Sequence, residues 1–520
     1  MNIIRDCVLP FLRTWISHPL NTSVTAEDLQ VRAIVLSKWW TTLLDALKEN
    51  HNEKTSSHDR QMLLESLTGI MERPEWRLAL NDSIPGLDVT PSPEHKRRTS
   101  STSSCGSAEI SLIIEKATIG ASVCGLFTHH LAQQMTFVVD RMSQRTTPTS
   151  LVSFCGRACA YAFFFCPGVA DMLVRLWNVR PAQMKRVLRA ANVRSPFRFQ
   201  TEANNMAHHF PACLHSLSFL SLRDATAKLQ QPCTTYDVLK GVDWRGYWIK
   251  RWSGKDSDLF YAFIKQYHIL LADHVPPDTP KGVWLFAPTV LPVFAQILAN
   301  LDMTIHRQSA GAANPSPAKG KDSRSDRMFD DIDVSADAFA PASINATRIM
   351  CDNRLVTLLK DLLSLKQQTS LSASRLFALG FCDVLKAAAC HTSVYDHHAC
   401  FTLCDFLEEA LAILGKFEAN ISGPSLIDWE FWMDVFSRML RSENTLTQIR
   451  LYALLFTIWP LLDVSARWKE HLCLNILLMP AQFQRSFSHY CPLVRTYYHR
   501  LLCWRLARCD GKADVDMYVA

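Results

Sequence analysis

Apolar residues recur at helical spacing along this 520-residue chain, and this periodicity limits its fold more than any other feature. Leu36, Trp40 and Leu43 follow an i, i+3, i+4 pattern, which is typical of one face of an α-helix. Glycine is scarce, at 17 residues, and the pattern shows no alternating strands punctuated by glycine. The sequence therefore predicts an all-α fold, arranged as an irregular helical-repeat stack that is solenoid-like, in the manner of armadillo or HEAT proteins. Other runs with this spacing contain Phe260, Phe263, Ile264, Tyr267 and Leu271, then Cys351, Leu355, Leu358, Leu359 and Leu362, and then Cys400, Leu403, Leu407, Leu411 and Leu414.

Two segments without this periodicity interrupt the chain. Residues 81–108 are rich in Ser, Thr and Pro, and residues 307–346 are equally poor in apolar periodicity. Because a structureless loop of this length is unusual inside a compact domain, we interpret both as disordered linkers or regulatory insertions. They define an N-terminal helical block at 1–80, a central block at 109–306, a C-terminal block at 347–510 and a tail at 511–520.

Composition and motifs exclude several classes of protein. The formal net charge of +6 is small for this length and argues against a nucleic-acid binder. The 17 cysteines include no CxxC pair, which indicates a reducing compartment. The N-terminus lacks the features of a signal peptide, so we expect a cytoplasmic protein. The uncharged run 282–301 contains Pro288 and Pro292, and we interpret it as a proline-interrupted buried helix rather than a membrane span.

The usual catalytic signatures are missing, which favours a protein that is not an enzyme and has no cofactor. The best metal candidate is the stretch HTSVYDHHACFTLC at 391–404. Its spacing lacks the paired CxxC of structural zinc sites, so we favour core cysteines on a helix capped by Asp396. The alternative zinc site would use His397, Cys400 and Cys404, with His391 or His398 as the fourth ligand.

Two stretches are candidate surfaces for a protein partner or an anionic lipid. The stretch DWRGYWIKRW places three tryptophans four residues apart among basic residues. Such tryptophans more often form a packing seam between helices, because each buries a large area. Residues 175–198 carry seven cations with no acid after Asp171, and the alternative there is a solvated basic face. The candidate partner or anion-binding residues are Arg180, Lys185, Arg186, Arg189, Trp244, Trp248 and Trp252.

The stretch HYCPLVRTYYHRLLCWRLARC at 489–509 distributes arginines around a helix that has no clean polar face. Its apolar residues cover too much of the circumference for a surface helix, so we expect some arginines to be partly buried and paired with carboxylates. The alternative is an anion site for a phosphorylated linker or partner. The predicted structural ion pairs join at least one of Arg495, Arg500 and Arg505 to one of Asp428, Glu430 and Asp434.

The linkers carry short patterns that protein kinases accept. Arg97 and Arg98 precede one serine closely, and two other serines precede proline. A phosphate would add about −1.5 to −2 charge to a flexible segment and change what it docks to. The phosphorylation candidates are Ser92, Ser100 and Ser316.

Five long, aromatic-rich blocks resemble one fungal family of proteins of unknown function, domain of unknown function family 1765. They are CGRACAYAFFFCPGVADMLVRLW, DWRGYWIKRWSGKDSDLFYAFIKQYH, LFAPTVLPVF, DWEFWMDVFSRMLRSENTLTQIRLYALLFTIW and HYCPLVRTYYHRLLCWRLARCDG. The resemblance implies a fungal intracellular protein of unassigned activity, and it brings no catalytic residues. Family members have been labelled membrane proteins and often carry longer disordered tails, so the resemblance implies a short form.

Three functions follow from these features, in decreasing order of expectation. The first is a non-enzymatic helical scaffold or adaptor that binds other proteins, in signalling or cell-cortex organisation, regulated by phosphorylation of its linkers. The second is a peripheral membrane protein that binds anionic lipid through the basic run and the tryptophan face. The third is an enzyme with an unrecognised site, built on the cluster between His397 and Cys404.

Overall fold

The computed structural model describes the helical parts of the chain. Within these ranges every regular element is a helix or helical turn and no strand occurs, so the predicted all-α fold is confirmed. The solenoid-like repeat stays a prediction. The described residues are 2–14, 25–49, 57–81, 107–193, 200–233, 236–255, 257–277, 279–307, 350–364, 370–421 and 423–507.

The α-helices are connected by short turns, several of which are themselves helical. Two 3₁₀ turns span Ala212–Leu217 and Asp237–Leu239, and π-helical turns span Ile4–Val8, His471–Leu477 and Leu502–Leu506. The described α-helices are α1 Leu9–Thr14, α2 Ala26–Glu49, α3 Ser57–Met71, α4 Pro74–Asn81, α5 Ser107–Ser143, α6 Thr149–Phe165, α7 Val169–Leu176, α8 Pro181–Ala190, α9 Gln200–Ala207, α10 Leu222–Gln230, α11 Trp248–Trp252, α12 Leu259–His274, α13 Lys281–Trp284, α14 Val290–Ile305, α15 Arg354–Leu363, α16 Leu371–His391, α17 His397–Glu418, α18 Trp429–Arg441, α19 Thr445–Leu462, α20 Ala466–Glu470, α21 Pro480–Phe487 and α22 Pro492–Leu501.

The chain divides into two compact units that differ from the three predicted blocks. The central block contributes to both units, because α8 and α14 pack against each other and against α16, which lies far along the chain. Apolar faces of helices that are distant in sequence therefore set the division. The first unit comprises Met1–Asn178, Gln200–Leu270 and Phe286–Thr289, and the second comprises Val179–Phe199, Leu271–Leu285 and Val290–Ala520.

The first unit is built around buried aromatic side chains. The Trp177 and Trp252 rings stack with centroids 5.1 Å apart, and the Trp252 indole N–H donates to the Leu173 carbonyl at 3.0 Å. Helices α6 and α12 approach closely at Gly156, where an added Cβ would lie 2.5 Å from the Ala262 Cβ. The core of this unit therefore depends on both large rings and one residue without a side chain.

Local sequence signals fix the start of α2 in this unit. The Thr25 hydroxyl donates to the Asp28 carboxylate at 2.7 Å, and the Asp28 backbone N–H donates to the Thr25 hydroxyl at 3.2 Å. This arrangement satisfies one of the backbone donors that a helix leaves unpaired at its N-terminus. The buried side of the helix includes Leu36, Trp40 and Leu43, as the periodicity predicts.

In the second unit, α17 packs against α19, and α19 packs against α22. Arg450 on α19 forms ion pairs with Asp405 and Glu408 on α17, and all three side chains are largely buried. Gly380 on α16 lies against the Phe294 ring of α14, where an added Cβ would be only 2.3 Å from the ring. A charged cluster and a close helix contact thus hold the centre of this unit together.

One described helix is long and apolar enough to cross a membrane by length and composition. It is α19, with a mean hydropathy of 1.2 and half of its residues buried inside the protein. A core helix passes the same test, and the ion-paired Arg450 lies in the second turn of α19. The uncharged run predicted as a proline-interrupted helix instead forms α13 and α14, which are separate and shorter than a membrane span.

Candidate anion-binding surface

Two arginines near the C-terminus contact the same aromatic ring. The guanidinium carbon of Arg500 lies 4.7 Å from the Phe456 ring centroid, and that of Arg505 lies 4.2 Å from it. Phe456 belongs to α19, which packs against the helix that carries Arg500. A cation held over an aromatic face in this way is stabilised by about 0.5–1 kcal/mol at an exposed site. The ring therefore positions two like charges beside each other.

The π-helical turn Leu502–Leu506 explains how both arginines reach one ring. The Ala507 N–H donates to the Leu502 carbonyl at 2.8 Å, which is the i→i−5 hydrogen bond of a π turn. A π turn is wider than an α turn, and here both guanidinium groups contact one ring although the residues are five apart. Arg505 lies five residues after Arg500. Single π turns inserted into α-helices are frequent at functional sites.

Neither arginine forms an ion pair with a carboxylate anywhere in the part of the chain that the structure describes. The Nε of Arg505 is buried and has no hydrogen-bond partner. The third arginine of this helix, Arg495, donates to the backbone carbonyls of His489 and Tyr490. Arg500 is exposed and Arg505 is half-buried, and no described carboxylate balances their charges. Such guanidinium groups are suited to an external anion, because an uncompensated charge is costly to bury.

The predicted ion pairs between these arginines and the acids of α18 are wrong. Asp428 caps α18 by accepting from the Phe431 N–H at 3.1 Å, and it pairs with Lys386 at 2.5 Å. Asp434 pairs with Arg438 one turn further along the same helix, at 2.9 Å. The remaining acid of the predicted set, Glu430, is exposed. Asp428 and Asp434, which the prediction assigned to the C-terminal arginines, instead cap a helix and form an i, i+4 ion pair.

Exposed apolar side chains lie on the elements that carry the two arginines and on the neighbouring helix α21. Trp504 lies between them in sequence and is 61% exposed. The Phe487 ring contacts the ring of His499 with centroids 4.5 Å apart, and it stacks on Phe483 at 5.0 Å. Exposed aromatic residues beside unpaired cations form a surface with both apolar and basic character. We call the group Phe483, Phe487, Arg500, Trp504 and Arg505 the aromatic–arginine surface.

Further exposed apolar side chains lie on the π turn His471–Leu477 and the residues that follow it. This turn packs against α21, which in turn packs against α22. The buried Tyr498 ties the elements together, since its hydroxyl donates to the Leu477 carbonyl at 2.7 Å. These additional exposed residues are Leu474, Leu478 and Met479.

The basic run at 175–198 does not form one continuous surface. Arg175 pairs with Asp171 at 2.9 Å and donates to the Leu229 carbonyl at 2.6 Å. Arg186 forms a bidentate pair with Asp302, at 2.6 and 2.9 Å. Both have structural roles, which the sequence did not predict for Arg186. Of the run, Arg180, Lys185 and Arg189 are exposed, and Arg194 and Arg198 lie outside the described residues.

The tryptophan face is not an exposed surface. Helix α11 begins only at Trp248, and the side chains of Trp248 and Trp252 are fully buried. The predicted partner surface is therefore wrong for these two, because their indoles pack in the core of the first unit; Trp244 alone is half-buried. The flanking Arg251 is also buried, and it donates to the backbone carbonyls of residues 144 and 145. The packing-seam alternative explains this stretch.

The residues of the alternative zinc site are divided between the core and the surface. Cys404 is fully buried, and burial, reinforced by Asp396, raises the pKa of Cys400 to about 11, so its thiol is protonated at neutral pH. Asp396 caps α17 as predicted, by accepting from the Ala399 N–H at 3.0 Å. His398 is exposed. Core cysteines are the better interpretation of this stretch, and His397 is half-buried at the helix start.

A different set of side chains could hold a metal ion. Asp302, His306 and His391 offer three ligand atoms that all lie within 4.8 Å of one another. Only His391 belonged to the predicted set. The i, i+4 spacing of Asp302 and His306 in an apolar helix is visible in the sequence, but the approach of His391 depends on tertiary packing.

An open groove of about 620 Å³ lies beside α18 and α20. Its lining carries both signs of charge. Groove-lining residues include Glu430, Asp434, Arg441, Arg467, Trp468 and His471.

The phosphorylation candidates Ser92, Ser100 and Ser316 lie outside the described residues.

Residues 381–506 match the model of a family described as a protein of unknown function, DUF1765. A Schizosaccharomyces pombe protein named as a UPF0592 membrane protein is 25% identical over 390 residues, which are 74% of this chain and 42% of that relative. This chain thus spans less than half the length of that relative. No solved structure matches the chain. The predicted resemblance to a fungal family of unknown function is confirmed, and the matched segment contains the whole aromatic–arginine surface.

Proposed function

We propose that the chain is a non-enzymatic helical adaptor that binds an anionic membrane surface through the aromatic–arginine surface. One observation carries this proposal: Arg500 and Arg505 are held on Phe456 without a carboxylate partner, next to the exposed Trp504. Among the described residues, Arg186 and Arg450 bind carboxylates, and Arg251 binds backbone carbonyls. Arg500 and Arg505 have an aromatic ring and access to solvent instead.

The chemistry of the surface suits the boundary between lipid headgroups and acyl chains. Exposed tryptophan and phenylalanine rings insert at this depth, and guanidinium groups bind phosphate through two parallel hydrogen bonds. Each basic side chain near an anionic membrane contributes about 1 kcal/mol to binding. Arg500 and Arg505 together would therefore contribute about 2 kcal/mol, or about 30-fold in affinity.

Two further observations support a membrane location. The relative from S. pombe is named a membrane protein. The exposed Leu474, Leu478 and Met479 lie on or directly after the π turn His471–Leu477, which packs against α21, and α21 packs against α22. They add to the apolar area available for insertion. The resulting location is peripheral, at a membrane or at the cell cortex beneath it.

The adaptor role rests on the groove beside α18 and α20. A groove of about 620 Å³ with both signs of charge suits a protein segment better than an apolar small molecule. Other proteins are therefore the proposed partners of this face. A pull-down with the full chain, comparing wild type with an Asp434→Arg variant, tests it: a partner retained equally by both proteins argues against the groove.

Vesicle flotation of the full chain tests the membrane proposal. We expect binding to vesicles that contain phosphatidylserine and little binding to pure phosphatidylcholine. The double variant Arg500→Gln and Arg505→Gln should lose about 30-fold in affinity. Glutamine is the appropriate replacement, because an apolar residue would add its own affinity for the membrane.

The matched control removes two charges from the other basic helix. Lys185→Gln with Arg189→Gln changes net charge equally and alters exposed residues of α8. This control should bind vesicles like the wild type. Loss of binding in the control alone would place the membrane contact on α8 and contradict the proposal. Loss of binding to a phosphopeptide, with vesicle binding unchanged in the C-terminal variant, would mean that the arginines recognise phosphorylated protein.

A further inference from the structure

Three potential metal ligands converge at the ends of two helices of the second unit. Asp302 lies in the last turn of α14, and His306 directly follows this helix. The His306 N–H donates to the Asp302 carbonyl at 2.9 Å, so the helical turn continues to His306 and places both side chains on the same face. His391 is the last residue of α16, and its ring centroid is 5.6 Å from that of His306. The ligand atoms of all three residues lie within 4.8 Å of one another.

The imidazole of His306 has an unused nitrogen at this position. Its Nε2 is buried and has no hydrogen-bond partner. A buried polar atom without a partner destabilises a folded protein, and such atoms commonly mark a site for an unseen ion or water. The same nitrogen is one of the two that an imidazole uses to bind metals.

Arg186 fixes the carboxylate of this group. It donates to both oxygens of Asp302, at 2.6 and 2.9 Å, and also to the Ala387 carbonyl at 2.9 Å. Ala387 lies one turn before His391 on α16, so one guanidinium links both ligand-bearing helices. Each carboxylate oxygen keeps a second lone pair for a metal. Carboxylates that bind metals are generally oriented by outer hydrogen bonds of this kind.

We propose that Asp302, His306 and His391 bind a divalent zinc-class ion, with water completing its coordination. Two imidazoles and one carboxylate are a common donor set for zinc, and three protein ligands leave a position open for water. Bond lengths of about 2.0–2.2 Å require the ligand atoms to close from their present separation. The exposed side chain of His391 provides that freedom. This site shares only His391 with the cysteine-containing cluster that the sequence suggested.

Titration of the full chain with Co²⁺ tests the site, because cobalt reports its ligands by colour and replaces zinc in most sites. We expect one tight equivalent with the weak visible absorption of nitrogen and oxygen ligands. Thiolate charge-transfer bands in the near ultraviolet should be absent. Calorimetry with Zn²⁺ should give the same stoichiometry and a metal-dependent rise in Tm.

The two test variants are His391→Ala, which changes an exposed side chain, and His306→Ala. The control is His398→Ala on the neighbouring helix. Both site variants should lose the tight equivalent and the Tm rise, whereas the control should keep them. The His391 variant answers the question even if the His306 variant fails to fold. Absence of a tight equivalent in the wild type would overturn the proposal. So would an equivalent that survives His391→Ala or shows thiolate absorption.

Discussion

Helices α8 and α22 look alike in sequence, but their arginines have different partners in the structure. Each spans ten residues, begins with proline and carries several basic side chains within the second unit. On α8, Arg186 is bound by the Asp302 carboxylate and a backbone carbonyl. Arg500 on α22 and Arg505 on the following π turn both contact the Phe456 ring. Among the described residues, neither has a carboxylate partner.

The difference shows that the number of cations on a helix does not reveal their role. The carboxylate that binds Arg186 lies 116 residues further along the chain and reaches it only through packing of α14 on α8. Two of the acids that the sequence assigned to the arginines of α22 serve α18 instead: Asp428 caps this helix, and Asp434 pairs with Arg438 on it. Where the fold supplies a partner the arginine is structural, and where it supplies none the arginine is available for a ligand.

The largest effect that this comparison predicts is a loss of protein stability when the paired arginine, Arg186, is replaced. Replacing Arg186 with methionine leaves the Asp302 carboxylate largely buried without its partner. We expect the free energy of unfolding to fall by about 3–5 kcal/mol, measured by chemical denaturation. Adding Asp302→Asn should restore part of the loss. The exposed pair of Arg438 is the control, and its methionine variant should unfold like the wild type. If Arg186→Met left the free energy of unfolding unchanged, the arginine of α8 would not be structural, and the two helices would not differ in this respect.

A second prediction concerns His130, a buried side chain whose neutral form is favoured in the folded protein. Burial, with a smaller contribution from His129, lowers the pKa of His130 to about 4 from its ordinary 6.5. The unfolded chain therefore binds this proton first as pH falls, so stability is complete above pH 6.5 and is lost toward pH 4. The loss is about 1.4 kcal/mol per pH unit for this residue.

His268 has the same lowered pKa of about 4, because it too is buried. The unfolding free energy of the wild type should thus fall with the combined slope of both histidines. A His130→Gln variant should keep only the part due to His268. Equal slopes for the two proteins would show that His130 is not protonated more readily in the unfolded chain.

The smallest effect is expected for the unpaired arginines. Arg500→Met and Arg505→Met should each change the free energy of unfolding by no more than about 1 kcal/mol, which is the contribution of an exposed cation–π contact. The measurement is the same denaturation series used for Arg186. Losses as large as that of Arg186→Met would mean that these arginines are structural after all.

Local patterns in the sequence predicted much of the fold. The apolar faces of α2, α12 and α17 and the caps at Thr25 and Asp396 follow from spacing and hydrogen-bonding chemistry within one turn. The tryptophan stretch was misjudged as one long helical face, since its helix begins only at Trp248.

The candidate sites were less accessible to sequence reasoning. The π turn that aligns Arg500 with Arg505 has no simple sequence signature. The group of Asp302, His306 and His391 depends on the packing of α14 beside α16. Contacts across long sequence separations decided both sites, and amphipathic periodicity carries no information about such contacts.

The central claim is that the aromatic–arginine surface is the membrane contact. Hydrogen–deuterium exchange of the full chain, with and without phosphatidylserine vesicles, tests it most directly because it locates the contact along the sequence. We expect slower exchange on vesicle binding in the peptides that cover α21, α22 and Leu502–Leu506, and unchanged exchange in those that cover α8. Vesicle binding that leaves the exchange of the C-terminal peptides unchanged would contradict the account.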